Sequence, residues 1–324
     1  MTGVLYLTDA DVQQLISMQA CIDLMERVFR DTATGRAESR PRQHLSLPAR
    51  GFHRAMIGSE YGLNAFGLKT YAAAERGPRY MVLLYDASNA HLQAIIEAKF
   101  LGQLRTGAAA GLATRYMARS DVTSLGIIGS GREARSQLEA MLAVRPFRRV
   151  TCYSRTSQRR EGFASEMTAR FGVEVVPVES GEACVADADV VCTITSANVP
   201  VLEGKWLQPG THINAVGATS IYRREIDDEV VRRAGTIVVE DVVQAREECG
   251  ELIHAAERGL LRWATVFNLG QLASGAVEGR VDAKDITLYN ALGVASEDVA
   301  VAASAYQLAR HRGMGVELAV PTWV

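Results

Sequence analysis

The sequence predicts an α/β protein in which a doubly wound domain is joined to a second, α+β domain. Three observations support this fold class. Short apolar segments separated by turn residues fill positions 43–99, which indicates a mainly antiparallel sheet. A glycine-rich turn follows the apolar run Ser124–Ile128. Beyond Asp121, apolar runs alternate with helix-like segments, a pattern typical of a parallel sheet with helices on both faces.

The elements follow in chain order. The chain opens with an amphipathic helical segment, for which Thr8 is the expected N-cap and Gly35 the residue past the end. The last helix is expected to begin after Ser296, to end at Gly313 and to return to the first domain. Six strands are expected after Asp121, in the segments SLGIIG, RVTCYS, VEVVPV, ADVVCTIT, THINAVG and TIVVE. Helices are expected between them at 133–142, 157–171 and 223–233.

Composition narrows the functional classes. The chain has 324 residues and is 48% hydrophobic, enough for one large or two ordinary domains with a sizeable core. Its net charge of −2 gives no broad field for nucleic acid or anionic lipid. Asp9 and Asp11 interrupt the N-terminal stretch where a signal peptide would be apolar, so we expect a cytoplasmic protein without a membrane partner. The five cysteines lack metal-ligand spacing and are expected to be reduced, buried thiols, with no metal site.

Gly129, Gly131 and Ala134 form the pattern GxGxxA directly after an apolar run and at the start of a helix. In that setting the first glycine makes the turn, the second admits a pyrophosphate against bare backbone, and the small third residue lets helix and strand approach. The pattern predicts a Rossmann dinucleotide site, with a glycine loop that binds nothing as the alternative. The expected cofactor residues of this turn are Gly129, Ser130, Gly131, Arg132 and Glu133.

The end of the second strand indicates which dinucleotide is bound. An NAD site usually places Asp or Glu there, about 20 residues after the glycines. This chain instead has Ser154, Arg155 and Thr156, two hydroxyls and a guanidinium that suit a 2′-phosphate. NADP(H) is therefore favoured over NAD(H), and a solvated Arg155 is the alternative. The ends of later strands add four expected cofactor residues, which are Thr195, Ser196, Val216 and Gly217. For Ser196, contact with the cofactor and absence of contact are equally consistent with the sequence.

Several segments along nearly the whole chain resemble the ornithine cyclodeaminase/mu-crystallin family. They are RPRQ near position 42, GLKTY at 67–71, LRTGAAAGLAT at 104–114, GIIGSGREA, YSRT, INAVGA at 213–218, RREIDDE and LGVASEDVA at 292–300. The resemblance implies a Rossmann domain at 120–298 and a substrate-binding and dimerisation domain made of 1–119 with 299–324. It also implies a homodimer and chemistry on imines of α-amino acids.

The resemblance also assigns roles to residues. Lys69 matches the family's active-site lysine, and Arg42 its arginine for the substrate carboxylate. Arg105 and Thr106 form the RT motif, which implies contacts of Arg105 with substrate and cofactor and of Thr106 with cofactor. The residue types agree with this chemistry, because guanidinium binds carboxylate bidentately. A C=N carbon accepts hydride only when its nitrogen is protonated, and Lys69 could supply that proton or orient a water that does.

Alternatives remain for these residues. Lys69 could be a strand lysine whose stem is buried while its head reaches water. Arg40 and Arg50 lie close to Arg42 in sequence, so the carboxylate arginine is not fixed by position alone. His212, beside an apolar strand, is expected to be structural. Glu97 is either a solvated acid or a charge partner of a helix N-terminus. The segment RREIDDE is expected to be a charged helix face.

One departure from the family pattern separates two activities. Cyclodeaminases of this family carry an aspartate in VGAD, whereas this chain has Thr219 and Ser220 after VGA. A hydroxyl cannot act as a carboxylate base near neutral pH. Mu-crystallin-like ketimine reductases also have a small hydroxyl residue there, and an Asn-Arg-Thr signature similar to Ser154–Thr156. We therefore expect an NADPH-dependent reductase of a small cyclic or linear α-imino acid, or an amino-acid dehydrogenase. Cyclodeamination and ligand binding without turnover are the alternatives.

Overall fold

The computed structural model describes residues 3–47, 51–74 and 77–319. The chain divides into two compact units, which we name unit 1 (Met1–Arg105 with Gly293–Val324) and unit 2 (Thr106–Leu292). Both boundaries lie earlier than the expected 119/120 and 298/299. The helix after Arg105 bonds within unit 2, where Asn214 donates to the Thr114 hydroxyl at 2.9 Å. The residues after Gly293 instead begin a helix that packs on the sheet of unit 1.

The strands of the described residues are β1 (Val4–Leu7), β2 (Ala37–Ser39), β3 (Gln43–Leu47), β4 (Gly51–Glu60), β5 (Ala65–Ala74), β6 (Gly77–Asp86), β7 (Leu92–Glu97), β8 (Ser124–Ile128), β9 (Arg149–Tyr153), β10 (Val175–Pro177), β11 (Val190–Thr193), β12 (His212–Ala215), β13 (Ala234–Val239), β14 (Val266–Asn268), β15 (Ile286–Asn290) and β16 (Val316–Leu318). The α-helices are α1 (Asp9–Leu15), α2 (Met18–Ala33), α3 (Lys99–Met117), α4 (Arg132–Val144), α5 (Ser157–Phe171), α6 (Gly181–Val185), α7 (Asp228–Arg233), α8 (Val242–Glu248), α9 (Gly250–Glu257), α10 (Leu269–Ala273) and α11 (Ala295–Arg312).

Unit 1 is built on one sheet with the strand order β16-β1-β7-β6-β5-β4-β2, and β3 also pairs with β4. The pairs from β4 to β7 are antiparallel, as predicted, while β1 runs parallel to β7. Helix α11 packs against β4 and β5, which confirms that the last helix returns to the first half of the chain. It begins at Ala295, one residue before the expected N-cap Ser296, and ends at Arg312, which is followed by the expected Gly313 in the left-handed conformation (φ 65°).

The helical opening of unit 1 is two helices, not one. Ser17 accepts a hydrogen bond from the Ala20 N–H and caps α2 after α1 has ended at Leu15. Glu97, which precedes the helix bearing Arg105, is a partner of a different helix start, because it accepts from the Asp9 N–H of α1 at 3.0 Å. Asp9 in turn accepts from the Phe100 N–H of α3 at 2.6 Å. The two acids therefore tie the starts of α1 and α3 together.

Unit 2 is an eight-stranded, fully parallel sheet with the order β10-β9-β8-β11-β12-β15-β13-β14. The doubly wound prediction is thus confirmed, and its six expected strands are β8 to β13. Strand order reverses between β8 and β11, which is where such sheets bind ligands, beyond the carboxyl ends of the strands. Strand β15 was not predicted, although all of its residues are buried between β12 and β13.

Helix bounds in unit 2 follow the expectations closely in two places and differ in one. Helix α5 has the expected bounds, and α4 extends the expected 133–142 by one residue at its start and two at its end. The helix expected at 223–233 begins only at Asp228, with Asp227 as its N-cap. All five cysteines are buried, free thiols, as expected. No helix in the described ranges is long and apolar enough to cross a membrane.

Candidate active site

Lys69 lies in the middle of the unit 1 sheet and is only 4% exposed. Its ammonium donates a hydrogen bond of 2.7 Å to Oδ1 of Asp298, which sits fully buried in the first turn of α11. Burial lowers the pKa of Lys69 to about 8, because a charged ammonium loses hydration, and the Asp298 carboxylate acts in the opposite direction. Lys69 can therefore gain or lose a proton close to neutral pH.

Arg105, on α3, reaches the same carboxylate. Its Nε donates to Oδ1 of Asp298 at 3.2 Å, and its Nη1 donates to Oε2 of Glu297 at 2.9 Å. Both carboxylates are fully buried, so each needs such a partner. Gly293 fits against this guanidinium, because a Cβ there would lie 2.2 Å from Nη1 and its φ is +76°. Asp298 thus connects the two predicted residues Lys69 and Arg105.

Arg42 is the third basic side chain of this site, and we call Lys69, Arg105 and Arg42 the basic group. Its Nη2 donates to the Gly293 carbonyl at 3.5 Å, and its positive charge contributes to the lowered pKa of Lys69. Arg40 instead is exposed and pairs with Glu38 at 3.1 Å, while Arg50 lies outside the described residues. The group therefore brings two guanidinium side chains and one ammonium together, and guanidinium groups bind carboxylate ligands bidentately.

Two acids of this group were missed in the sequence. Glu297 and Asp298 belong to the segment LGVASEDVA, which supported the family resemblance without any role for its acids. The local signal was present, because acids in the first turn of a helix are common as partners of the helix dipole. Only the packing of α11 on β5 shows that these two face Lys69 and Arg105.

The glycine turn of unit 2 is closely packed on one side and open on the other. Gly129 has φ +128°, and a Cβ there would lie 2.2 Å from the Ile194 carbonyl oxygen, so only glycine fits. Gly131 is the N-cap of α4, and a Cβ on it would meet nothing within 4 Å. Ala134 is fully buried. Bare backbone, open space and the start of a helix fit a dinucleotide pyrophosphate.

The end of β9 lies next to this turn. The Ser130 hydroxyl donates to that of Ser154 at 2.8 Å. Arg155 and Thr156 are exposed, and Thr156 is the N-cap of α5 without a side-chain capping bond. These groups remain available to a ligand phosphate. The other two predicted residues of the turn, Arg132 and Glu133, form an ion pair in the first turn of α4, with Nε of Arg132 3.0 Å from the carboxylate.

The ends of β11 and β12 are joined by Glu225. Its carboxylate accepts from the Thr193 hydroxyl at 2.9 Å, the Thr195 N–H at 2.5 Å and the Gly217 N–H at 2.6 Å. The expectation that RREIDDE is a charged helix face was wrong at this residue, because Glu225 precedes α7 and is fully buried. Of the other predicted residues here, Val216 is buried and Ser196 is exposed.

A second buried carboxylate holds Glu225 in place. Glu251 accepts from the Glu225 N–H at 2.6 Å and from the Ile226 N–H at 3.2 Å, and Asn290 at the end of β15 donates to it. Burial raises the pKa of Glu225. Burial and the nearby Glu225 raise the pKa of Glu251 to about 7. The network therefore fixes the ends of three neighbouring strands.

Three other predicted positions are placed as follows. His212 is fully buried between Thr287 at 2.9 Å and Asn214 at 3.3 Å. Burial lowers its pKa to about 3, so it stays neutral, which confirms a structural histidine. Thr106 is partly exposed in unit 2, and its carbonyl accepts from Gln137 at 3.4 Å. Thr219 lies partly exposed in the loop after β12.

Known proteins resemble the chain over most of its length. A Delta(1)-pyrroline-2-carboxylate reductase of Bacillus cereus is 34% identical over 262 residues, which are 78% of this chain and 80% of that protein. The structure of the Thermococcus litoralis Delta(1)-pyrroline-2-carboxylate reductase with NADH and L-proline has a TM-score of 0.93 and 31% identity, and the match covers 97% of this chain and 100% of that one.

A third relative is an archaeal alanine dehydrogenase, solved as a dimer with bound NAD. Its TM-score is 0.91 at 31% identity, with 98% of this chain and 99% of that chain covered. The model of the ornithine cyclodeaminase/mu-crystallin family matches residues 4–313. With a parallel-sheet Rossmann unit, a second unit that carries a buried lysine, and this match over nearly its whole length, the chain belongs to the ornithine cyclodeaminase/mu-crystallin family.

Proposed function

We propose that the protein is a nicotinamide-dependent oxidoreductase that reduces a small α-imino acid to the α-amino acid, or catalyses the reverse oxidation. The observation that carries this proposal is the buried pairing of Lys69 and Arg105 with Asp298, with the partly buried Arg42 bonded to the Gly293 carbonyl beside Arg105. It combines a lysine whose pKa burial lowers to about 8 with two guanidinium side chains. The relatives support the proposal, because they include a Delta(1)-pyrroline-2-carboxylate reductase and an alanine dehydrogenase.

Three residues of unit 1 have separate roles in the reaction. Arg42 binds the α-carboxylate of the substrate and sets its orientation. Lys69 delivers a proton to the imine nitrogen, so that the carbon becomes electrophilic, and it recovers the proton in the reverse direction. Asp298 orients the ammonium through the 2.7 Å hydrogen bond. A dihydronicotinamide, when bound, would supply a hydride to the imine carbon, so that one hydride and one proton would convert C=N to CH–NH.

The proposed cofactor is NADP(H), favoured over NAD(H). Ser154, Arg155 and Thr156 follow β9, where an NAD site usually has an acid, and the exposed guanidinium of Arg155 directly precedes α5. Two relatives were solved with NADH or NAD, so the family includes the other choice. The first contacts of the pyrophosphate are assigned to the turn at Gly129 and Gly131.

The proposed assembly is a cytoplasmic homodimer formed through unit 1. The sheet face opposite Lys69 carries an apolar row in register across four strands, from Ile57 through Leu68 and Leu83 to Ile95. Ile57 is 54% exposed. A contiguous apolar surface of this kind is a usual mark of a protein interface, and the alanine dehydrogenase relative was solved as a dimer.

The decisive experiment compares imine reduction with ammonia release. The purified protein is incubated with NADPH and a cyclic α-imino acid, a pyrroline- or piperideine-carboxylate, or with a 2-oxo acid and ammonium. In parallel it is given ornithine or lysine with catalytic NAD⁺. We expect NADPH oxidation in the first assay and no ammonia in the second, because Thr219 replaces the acid that deamination needs. Ammonia release at the rate of imine reduction would identify a cyclodeaminase. NADPH binding without oxidation of any substrate would identify a binding protein.

A further inference from the structure

The sheet face that carries Lys69 continues into a second row of side chains. Arg54 on β4, Tyr71 on β5 and Tyr80 on β6 are in register. Residues two apart on a strand share a face, so this row borders Lys69 directly. The Lys69 ammonium lies 6.0 Å from the centroid of the Tyr71 ring, which in turn stacks on Tyr80 at 5.2 Å. Arg54 is the diagonal neighbour of Lys69, at about 7–8 Å between their strand positions.

Arg54 differs from the other arginines of this face. Its guanidinium lies over the Phe52 ring at 5.1 Å, and Phe52 meets Tyr71 edge-on at 6.1 Å. It is half-buried, and its Nε is shielded from solvent with no hydrogen-bond partner. Within residues 3–47, 51–74 and 77–319, no carboxylate pairs with it, whereas Arg105 is held by two. A half-buried guanidinium on aromatic rings, without an acid, is suited to bind a carboxylate from a ligand.

We propose that the substrate carries a second carboxylate at the end of its side chain, so that it is a dicarboxylic α-imino acid bound by Arg42 at one end and Arg54 at the other. This inference rests on the proposed function. The half-buried guanidinium of Arg54, which no carboxylate of the described residues pairs with, is the group that would bind this second carboxylate.

The same arrangement disfavours a substrate with a terminal amine. The side-chain ammonium of ornithine or lysine would have to lie near the unpaired charge of Arg54, and like charges repel. Arg54 is thus a specificity-determining residue that excludes the cyclodeaminase substrates independently of Thr219.

The test measures NADPH oxidation with ammonium and four 2-oxo acids: oxaloacetate, 2-oxoglutarate, pyruvate and 2-oxobutyrate. We expect kcat/KM for the two dicarboxylic acids to exceed that for the monocarboxylic acids by about 10- to 100-fold, the usual effect of a charged hydrogen bond. Arg54→Met keeps the length of the side chain and removes its charge. It should erase this advantage, mainly through a higher KM for the two dicarboxylic acids, so that the four acids have similar kcat/KM. Arg54→Lys should restore part of it. The control is Arg79→Met, an exposed arginine on the opposite face of the same sheet.

A second readout does not depend on turnover. Succinate should raise the melting temperature of the wild-type protein more than propionate does, and Arg54→Met should remove the difference. Equal kcat/KM for both acid classes, or equal protection by succinate and propionate in the wild type, would overturn the inference while imine reduction still stands. If no imine at all is reduced, the proposed function fails, and protection by succinate alone still reports whether the dianion site exists.

Discussion

At the scale of single residues, Asp298 sets the behaviour of Lys69. A lysine that is 4% exposed loses most of its hydration, and an uncompensated ammonium there would be strongly disfavoured. Oδ1 of Asp298 accepts a hydrogen bond from the Lys69 ammonium, and the same oxygen also accepts one from Nε of Arg105. The carboxylate therefore stabilises the ammonium only in part. The resulting pKa of about 8 lets one side chain donate a proton and take it back.

The first prediction concerns pH. Reduction requires the protonated form of Lys69, so kcat/KM for the imine should fall as the pH rises through the pKa of about 8. Oxidation of the amino acid requires the neutral form and should rise over the same range. Initial rates in both directions across this range test the assignment. A pair of profiles that change in the same direction would contradict it.

Removal of the lysine gives the second prediction. Lys69→Met should reduce turnover by about 10²–10⁴-fold, the usual share of a general acid or base. Cofactor binding, followed by quenching of protein fluorescence, should change little, because the glycine turn belongs to unit 2 and Lys69 to unit 1. A similar loss of cofactor affinity would show instead that the substitution damages the fold.

Arg155 provides the third prediction. Arg155→Ala should raise the KM for NADPH by about 10- to 100-fold and leave that for NADH nearly unchanged, since a phosphate–guanidinium contact worth about 1.5–3 kcal/mol exists only with NADPH. Arg159→Ala is a suitable control, because Arg159 is also exposed but lies inside α5. Equal effects of Arg155→Ala on both cofactors would leave Arg155 as a solvated surface residue.

At the scale of elements, buried carboxyl groups fix the ends of β11, β12 and β15 by hydrogen bonds. Glu225 gathers three donors from the first two strands, and Glu251 anchors Glu225 and the third strand. Carboxylate oxygens can accept several N–H bonds at once. Such a network fixes backbone N–H groups at the edge where a doubly wound sheet binds its ligand.

The fourth prediction removes this charge. Glu225→Gln replaces one acceptor oxygen by an amide that faces existing donors, which should cost about 1–3 kcal/mol of unfolding free energy. We expect a lower melting temperature and a higher KM for the cofactor, with little change in the KM for the imino acid. Glu229→Gln, an acid of the same segment that pairs with Arg232 at the surface, should leave all three unchanged. A selective rise in the imino-acid KM would contradict this role for Glu225.

The features that were predicted correctly from the sequence are those that depend on local residue spacing. The GxGxxA turn, α5 and the strands from β8 to β13 each show a spacing that backbone geometry alone explains. Glu225 could not be recognised in the same way, because RREIDDE has the composition of a solvated helix and its burial depends on strands 30 residues away. The roles of Asp298 and Arg54 likewise depend on side chains of other elements, so local sequence could not indicate them. Strand β15, with the sequence ITLYN, was overlooked because a five-residue segment that mixes apolar and polar side chains carries little periodicity.

At the scale of the whole molecule, the unit 1 sheet presents two chemically different faces. One face carries Lys69 and the basic group, and the other carries the apolar row from Ile57 to Ile95. Burial of an apolar surface of this kind in a symmetric interface would be favourable, at about 25 cal/mol per Å². The proposed dimer therefore uses the face that the reaction does not.

The fifth prediction tests that assembly. Leu68→Glu places a charge in the centre of the apolar row, and a symmetric interface would bury it twice. Light scattering at micromolar concentration should show a dimer for the wild type and a monomer for this variant. Val243→Glu, at a residue of unit 2 that is 63% exposed, should remain dimeric. A wild-type protein that is monomeric at this concentration would refute the assembly.

The alternation along β5 has a consequence for how this protein can change in evolution. Leu68 and Lys69 are consecutive residues on opposite faces, so an insertion or deletion of one residue in this strand would exchange the two faces. The lysine would enter the apolar row, and a leucine would meet Asp298. Such a lineage would lose the reaction and the interface in one step. New substrates are therefore expected to arise through substitutions at alternate positions of strands whose lengths are fixed, such as 71 on β5 and 54 on the adjacent β4.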